Sequence, residues 1–169
     1  MSSRIIFIED VPGFENEYTI SDVGTVYSKR WKKLLIPTLS QGYYKIRLKK
    51  DRTHYYVGIH RLLAQAFLAN PEGLPYVDHI DRDSTNNSLS NLRWVTCQQN
   101  SFNSQKRKGT TSKYKGVSFH KRDRKWMVNI GFNGKQTYIG AYASEEEAAI
   151  VYNTKAKELF GEFAVLNEL

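Results

Sequence analysis

Three times along the chain, short runs with two-residue alternation give way to helical spacing of the apolar positions. The first third is strand-like: Ile5 to Ile8 is a short apolar run, Pro12 and Gly13 turn the chain, and Tyr18–Ser21 and Thr25–Ser28 are extended around a turn at Asp22–Gly24. Tyr44, Ile46 and Leu48 then alternate with Lys45, Arg47 and Lys49, so the strand Tyr43–Leu48 has one apolar and one basic face, and Tyr55–Ile59 follows it. Ile59, Leu63, Ala66 and Phe67 set a helical stripe over His60–Ala69, which Asn70 closes before Pro71.

The second switch is shorter. Tyr76–Ile80 and Leu92–Val95 are β-prone, the stretch between them from Asp81 to Ser90 is too polar to enter a core, and Thr96 with Gln99 spells a capping box that starts a helix. In the third, Val117 and Phe119 point one way and Ser118 and His120 the other. Trp126, Val128, Ile130 and Phe132 alternate with Lys125, Met127, Asn129 and Gly131, while Gln136 and Tyr138 fall outward if Thr137 and Ile139 face the core. Ser144 and Glu147 spell a second capping box, and Ala148, Val151, Tyr152, Leu159 and Phe160 make a stripe that ends at Gly161. The expected class is α+β, built of small modules in series: a β-rich module over residues 1–55, a ββα hairpin over 56–105, a basic linker over 106–112, and a three-stranded antiparallel sheet packed on one helix over 113–169.

Charge sharpens this picture. The 169 residues carry 25 Lys and Arg against 17 Asp and Glu, an excess of +8. The segment 106–125 holds nine cations against Asp123 alone, so the whole excess is local. Such a patch fits a polyanion better than it fits general solubility. Lys106, Arg107 and Lys108 lie in a Gly- and hydroxyl-containing joint suited to tracking a nucleic-acid backbone. The single cysteine, Cys97, excludes an internal disulfide and a cysteine-rich zinc site. With no apolar run of about 18 residues and no signal segment, the chain is expected to be soluble, cytoplasmic and unconnected with membranes.

Candidate chemistry gathers at the hairpin. Its first strand carries Asp78 and His79, its second begins after Asn91, and Asn100 sits in the first turns of the helix. A hard divalent cation such as Mg²⁺ takes one or two protein oxygens and completes its shell with water and phosphate, which Asp78 and the Asn100 amide can supply. An imidazole with a pKa near 6.5 can take a proton from water at neutral pH. His79 is therefore the candidate general base, with Asn91 positioning it. His54 and His60 lack a neighbouring carboxylate and read as structural.

The residues Asp78-His79, Asn86-Asn87, Asn91 to Thr96 (NLRWVT) and Asn100 resemble the HNH nuclease motif, most closely in the form carried by phage homing endonucleases. That resemblance implies a ββα-metal fold, one divalent ion (Mg²⁺ or Mn²⁺) at the scissile phosphate, and hydrolysis of double-stranded DNA. One hairpin carries one site, so a monomer that nicks one strand is expected. GFENEYTISDVGTVYS, residues 13–28, resembles the small β module that precedes such nucleases. The C-terminal segment resembles the DNA-binding domain of plant APETALA2 and ethylene-response factors, through SKYKGV (112–117), IGAY (139–142), EEAAIVY (146–152) and LFGEFAVLN (159–167). It implies DNA contacts at Lys115, Ser118, His120, Asn129, Gln136 and Tyr138, with Arg122 and Lys125 adding charge. Several of those positions are arginine in the plant domains, so fewer bidentate guanine contacts are expected here. A DNA-binding regulator with a silent hairpin is the alternative.

Overall fold

The computed structural model describes residues 8–104, 106 and 109–169. They divide into two compact units, one reaching Val95 and one beginning at Thr96. In the first, β1 (Ile8–Asp10), β2 (Tyr18–Ser21), β3 (Val26–Ser28) and β4 (Lys33–Leu35) form an antiparallel sheet in that order. A second sheet contains β5 (Thr38–Ser40), β6 (Tyr43–Lys50) and β7 (Thr53–Gly58), and α1 (Ile59–Phe67) follows without a loop. The unit ends in a two-stranded hairpin of β8 (Tyr76–His79) and β9 (Leu92–Val95). Only Ile8 of the expected strand at residues 5–8 is described, at the start of β1. The short strands β4 and β5 carry no alternation long enough to announce them.

One core runs through most of these elements. Tyr18, Ile20 and Val26 from the first sheet, Ile46 and Leu48 from the second, Ile59, Leu62 and Leu63 from α1, and Leu92 from β9 are buried together. The expected boundary at residues 55–56 passes through this core, because α1 is covered by both sheets. Tyr18 ties the two sheets directly: its hydroxyl accepts from the Lys49 N–H (3.0 Å) and donates to the Lys49 carbonyl (3.3 Å). On α1 the buried stripe is Ile59, Leu62, Leu63 and Ala64, with Ala66 and Phe67 only half-buried, a rotation of the expected face toward the sheets.

The second unit opens with α2 (Cys97–Phe102) and continues as β10 (Val117–His120), β11 (Lys125–Phe132), β12 (Lys135–Tyr142) and α3 (Glu145–Phe160). The Thr96 capping box forms in full: Thr96 Oγ1 accepts from the Gln99 N–H at 3.1 Å, and Gln99 Oε1 accepts from the Thr96 N–H at 2.8 Å. At α3 only half of the expected box is present. Ser144 Oγ accepts from the Glu147 N–H; separately, the first-turn acid Glu145 receives Ser112 Oγ (2.6 Å) and the Lys113 N–H (2.9 Å). The three strands are antiparallel and α3 covers one face, burying Val117, Val128, Ile130, Ala148, Ala149, Tyr152, Ala156 and Phe160. Ile139 is an extra residue in β12, since Val128 pairs with Gly140 and Asn129 with Tyr138. Among the described residues no helix is long and apolar enough to cross a membrane.

Gly116 lets α3 approach this sheet. It has φ +75°, and a Cβ there would lie 2.1 Å from two carbons of the buried Tyr152 ring and 3.0 Å from the Asn129 carbonyl oxygen. Gly116→Ala therefore meets both left-handed backbone strain and overpacking, and is expected to cost about 3 kcal/mol. Urea unfolding of the natural chain and the variant measures it; a change below about 0.5 kcal/mol would show that the ring has somewhere else to go.

Candidate active site

The hairpin brings two adjacent polar residues to a place with little water. Asp78 and His79 each keep only 6% of their surface, at the end of β8 where the chain leaves the ladder. Residue 78 stands directly opposite Arg93, and both described guanidinium contacts, Nε at 3.0 Å and Nη2 at 2.9 Å, fall on the same oxygen, Oδ2. The cross-strand guanidinium supplies donors that water would otherwise give this buried carboxylate. His79 Nε2 lies 3.1 Å from Asn87 Oδ1.

The polar loop between the strands is held almost entirely by its own side chains. Asn91 Nδ2 donates to Asp81 Oδ1 (2.9 Å) and to the Asn86 carbonyl (2.8 Å), while Asn91 Oδ1 accepts from the Asp81 N–H (3.0 Å). Asn86 Nδ2 donates to Asp81 Oδ2 at 2.7 Å, and Asp83 Oδ1 accepts from both the N–H and the hydroxyl of Thr85. Desolvation works against ionisation of Asp81, but the Asn86 and Asn91 amides and the Asp83 N–H outweigh it and hold this carboxyl below the usual carboxylate range. Asn91 was expected to position His79. Its described side-chain bonds build the loop instead, and it is Asn87, carried by that loop, whose amide stands at the ring. Sequence reasoning quoted Asn86-Asn87 as part of a motif but gave the pair no task.

Two further aromatic groups surround His79. Its ring centroid lies 5.1 Å from that of His60 and 6.0 Å from that of Tyr43, and Tyr43 and His60 are 5.1 Å apart. Thus β6, α1 and β8 each contribute one ring to a single cluster. Gly58 makes room for it, because a Cβ at that position would meet the His60 ring at 2.6 Å. Burial first, and then the nearby His79 and Arg61, lower the His60 pKa to about 4, so this ring is neutral at physiological pH. His60 Nδ1 is sealed from solvent with no hydrogen-bond partner among the described residues. Nothing local in the sequence distinguishes it, since the cluster arises from three elements far apart along the chain. His54 is elsewhere, exposed on β7 beside Arg47.

The site is rich in amide and carboxylate oxygens and contains imidazole but no thiol; Cys97 is exposed in the other unit. Among the described residues no three His, Cys, Asp or Glu side chains gather as a metal-binding group. The donors fit a hard cation that takes one or two protein oxygens and keeps several waters, and they do not fit a closed structural zinc site.

Comparison with known proteins agrees with this chemistry. The family described as "HNH endonuclease" matches residues 57–102, and the "NUMOD4 motif" matches residues 9–49. DNA endonuclease I-HmuI of Bacillus phage SP01 is 34% identical over 128 residues, covering 75% of this chain and 73% of its own length. The chain belongs to the HNH endonuclease family. It is also 34% identical over 134 residues to the uncharacterized HNH endonuclease L245 of Acanthamoeba polyphaga mimivirus, covering 79% of this chain; it spans 37% of L245 and 48% of the related L560. A different stretch of 58 residues, 33% of the chain, is 47% identical to 17% of the AP2-like ethylene-responsive transcription factor At1g16060 of Arabidopsis thaliana.

In the second unit of this HNH-family chain, Asn100 lies within α2, its N–H bonded to the Thr96 carbonyl. The expected outward positions do share one face of the sheet, as cross-strand pairs Ser118–Met127, His120–Lys125, Asn129–Tyr138 and Gly131–Gln136. Tyr138 is 54% exposed. His120 Nδ1 and Arg122 Nε approach the two oxygens of Asp123 at 3.0 and 3.1 Å, within the β10–β11 turn. Lys115 differs from the rest: its Nζ donates to the carbonyls of Phe102 (2.8 Å) and Ser104 (2.6 Å). Lys106 and Lys115 both line a cleft with Phe102 and Ser104, whereas Arg107 and Lys108 lie outside the described residues.

Two expectations follow from the buried charges. Because the folded pKa of His60 is depressed, the unfolded chain binds the extra proton between about pH 6.5 and 4, and stability falls as pH drops through that window. His60→Phe is expected to remove a loss of about 1–2 kcal/mol, discounted for the solvent that still reaches the ring. Unfolding both proteins at pH 7 and pH 4.5 checks this, and a pH-independent difference would refute it. Arg93→Leu strands the buried Asp78 charge and is expected to cost about 3 kcal/mol at neutral pH, again read by urea unfolding.

Proposed function

We propose that this chain is a metal-dependent DNA endonuclease of the homing type, in which His79 is the general base and Asp78 and Asn100 are the protein oxygens offered to a divalent ion. The observation that carries the reading is the His79–Asn87 contact. With the amide oxygen accepting from Nε2–H, the neutral ring has its lone pair at Nδ1, and that atom takes the proton of the attacking water. Asn91 acts through the loop that presents Asn87. Arg93 pairs with Asp78 and fixes its orientation across the hairpin. When bound, a divalent cation supplies charge stabilisation at the phosphate and at the departing oxygen. Mg²⁺ and Mn²⁺ both suit such donors.

The substrate is duplex DNA. The second unit's outward face, with Ser118, His120, Lys125, Asn129, Gln136 and Tyr138, supports docking in a major groove, and Lys106, Arg107, Lys108 and Arg122 add sequence-independent attraction. The protein acts as a monomer with one site and nicks one strand.

Incubation of supercoiled DNA carrying the target with Mg²⁺ or Mn²⁺ tests the reading. Nicked circles are expected, EDTA is expected to abolish them, and His79→Ala is expected to slow cleavage by about 10²–10⁴-fold. Asn87→Ala is expected to slow it about tenfold, with DNA affinity unchanged. Tight binding without cleavage under any divalent ion would leave a DNA-binding regulator, and linear product without a nicked intermediate would refute the single-strand cut.

A further inference from the structure

The six residues of α2 are too few to hold a helix in water without tertiary support. In this chain the support described comes from the C-terminal module. Phe102, the last residue of α2, is 8% exposed and stacks on Phe160 of α3 at 3.8 Å and 15°, and on Phe132 of β11 at 6.0 Å and 15°. Gln98 Nε2, at the other end of the helix, donates to Asn133 Oδ1 in the β11–β12 turn at 2.7 Å. A helix C-terminus leaves carbonyls without intrahelical partners. Lys115 Nζ takes the carbonyls of Phe102 and Ser104, placing a cation where the helix dipole is negative.

We propose that the C-terminal module is a positioning element of the nuclease, with Phe102 and Lys115 fixing the orientation of α2 and through it Asn100. Lys115 is then a positioning residue and not a phosphate or base contact, although the family resemblance placed it among the DNA-binding positions. The inference rests on the reading of Asn100 as an ion ligand. Its physical content is that Asn100 lies on a one-and-a-half-turn helix anchored at both ends by residues of the sheet domain. A change in that anchoring alters the reaction step without altering how the sheet face grips DNA.

The test uses the full chain and two readouts: single-turnover cleavage at saturating DNA across a Mn²⁺ series, and DNA affinity in EDTA as a function of salt. Lys115→Met keeps the aliphatic stem and removes the donor. It is expected to lower the saturated rate by about 10–100-fold and to raise the Mn²⁺ concentration for half-maximal rate, with affinity within about twofold and an unchanged salt slope. Lys115→Arg, which keeps donors for the carbonyls, is expected to recover most of the rate. Phe102→Leu, which keeps apolar cover but loses the stack, is expected to behave as Lys115→Met does. If Lys115→Met instead flattens the slope of log affinity against log salt by about 0.9 and leaves the saturated rate intact, Lys115 contacts phosphate and the proposal fails. Asn100→Ala, run in parallel, separates the two claims: normal cleavage there removes the ligand reading and this inference with it. Loss of cleavage in Asn100→Ala, with both Lys115→Met and Phe102→Leu fully active, overturns the positioning claim alone.

Discussion

The candidate site depends on the Asp78–Arg93 pair, in a place where Asp78 and its neighbour His79 are almost wholly desolvated. A carboxylate leaves water only if other groups replace what water supplied. Arg93 does so from the facing strand, with both of its described contacts on one oxygen, and thereby couples the hairpin register to the ion pair at the site. A slip of one residue in that register would bring Leu92 or Trp94 opposite the carboxylate and leave its charge without compensation. The ion pair therefore acts as a register pin, and the fold positions the chemistry by making the wrong pairing electrostatically expensive.

The loop solves a related problem without charge of its own sign to spare. Asp81 and Asp83 are ionised acids near the same imidazole, and their oxygens are occupied by amide, hydroxyl and backbone donors from Asn86, Asn91 and Thr85. This network accounts for the Asn- and Ser-rich composition of residues 81–91. The stretch is structured by side-chain-to-backbone bonds that substitute for a ladder. Its product is the placement of Asn87 at His79, while the rings of Tyr43 and His60 stand beside it.

How much of this could be read from sequence tracks the range of the forces involved. The Thr96 box, the alternation along β11 and the pairing of Asp78 with His79 at a strand end are local, and the structure contains them as expected. Ser144 Oγ caps the Glu147 N–H as expected, while the bonds of Glu145 to Ser112 and Lys113, more than thirty residues away in sequence, carry no local signal. The roles of Asn87 and Asn91 are inseparable by residue type, since both are amides in one loop; only the loop's folding decides which amide meets the ring. His60 entered the cluster for the same reason. The single core spanning residues 11–92 was likewise hidden, because it joins elements far apart along the chain, several of them strands of three or four residues.

The division of the chain at Val95–Thr96 carries the furthest consequence. Family resemblance groups β8, β9 and α2 as one motif, yet the described contacts of α2 include the aromatic stack with Phe132 and Phe160 and the Lys115 cap, all belonging to the segment that resembles a plant DNA-binding domain. A recognition domain appended by a flexible strap would raise local concentration and nothing more. Under the positioning proposal, one that holds α2 also bears on the placement of Asn100, because displacement of a reacting group by an ångström is enough to cost orders of magnitude in rate. Under that proposal the sheet module has two separate surfaces, the arginine-poor outward face and the apolar side from which Phe132 and Phe160 hold Phe102.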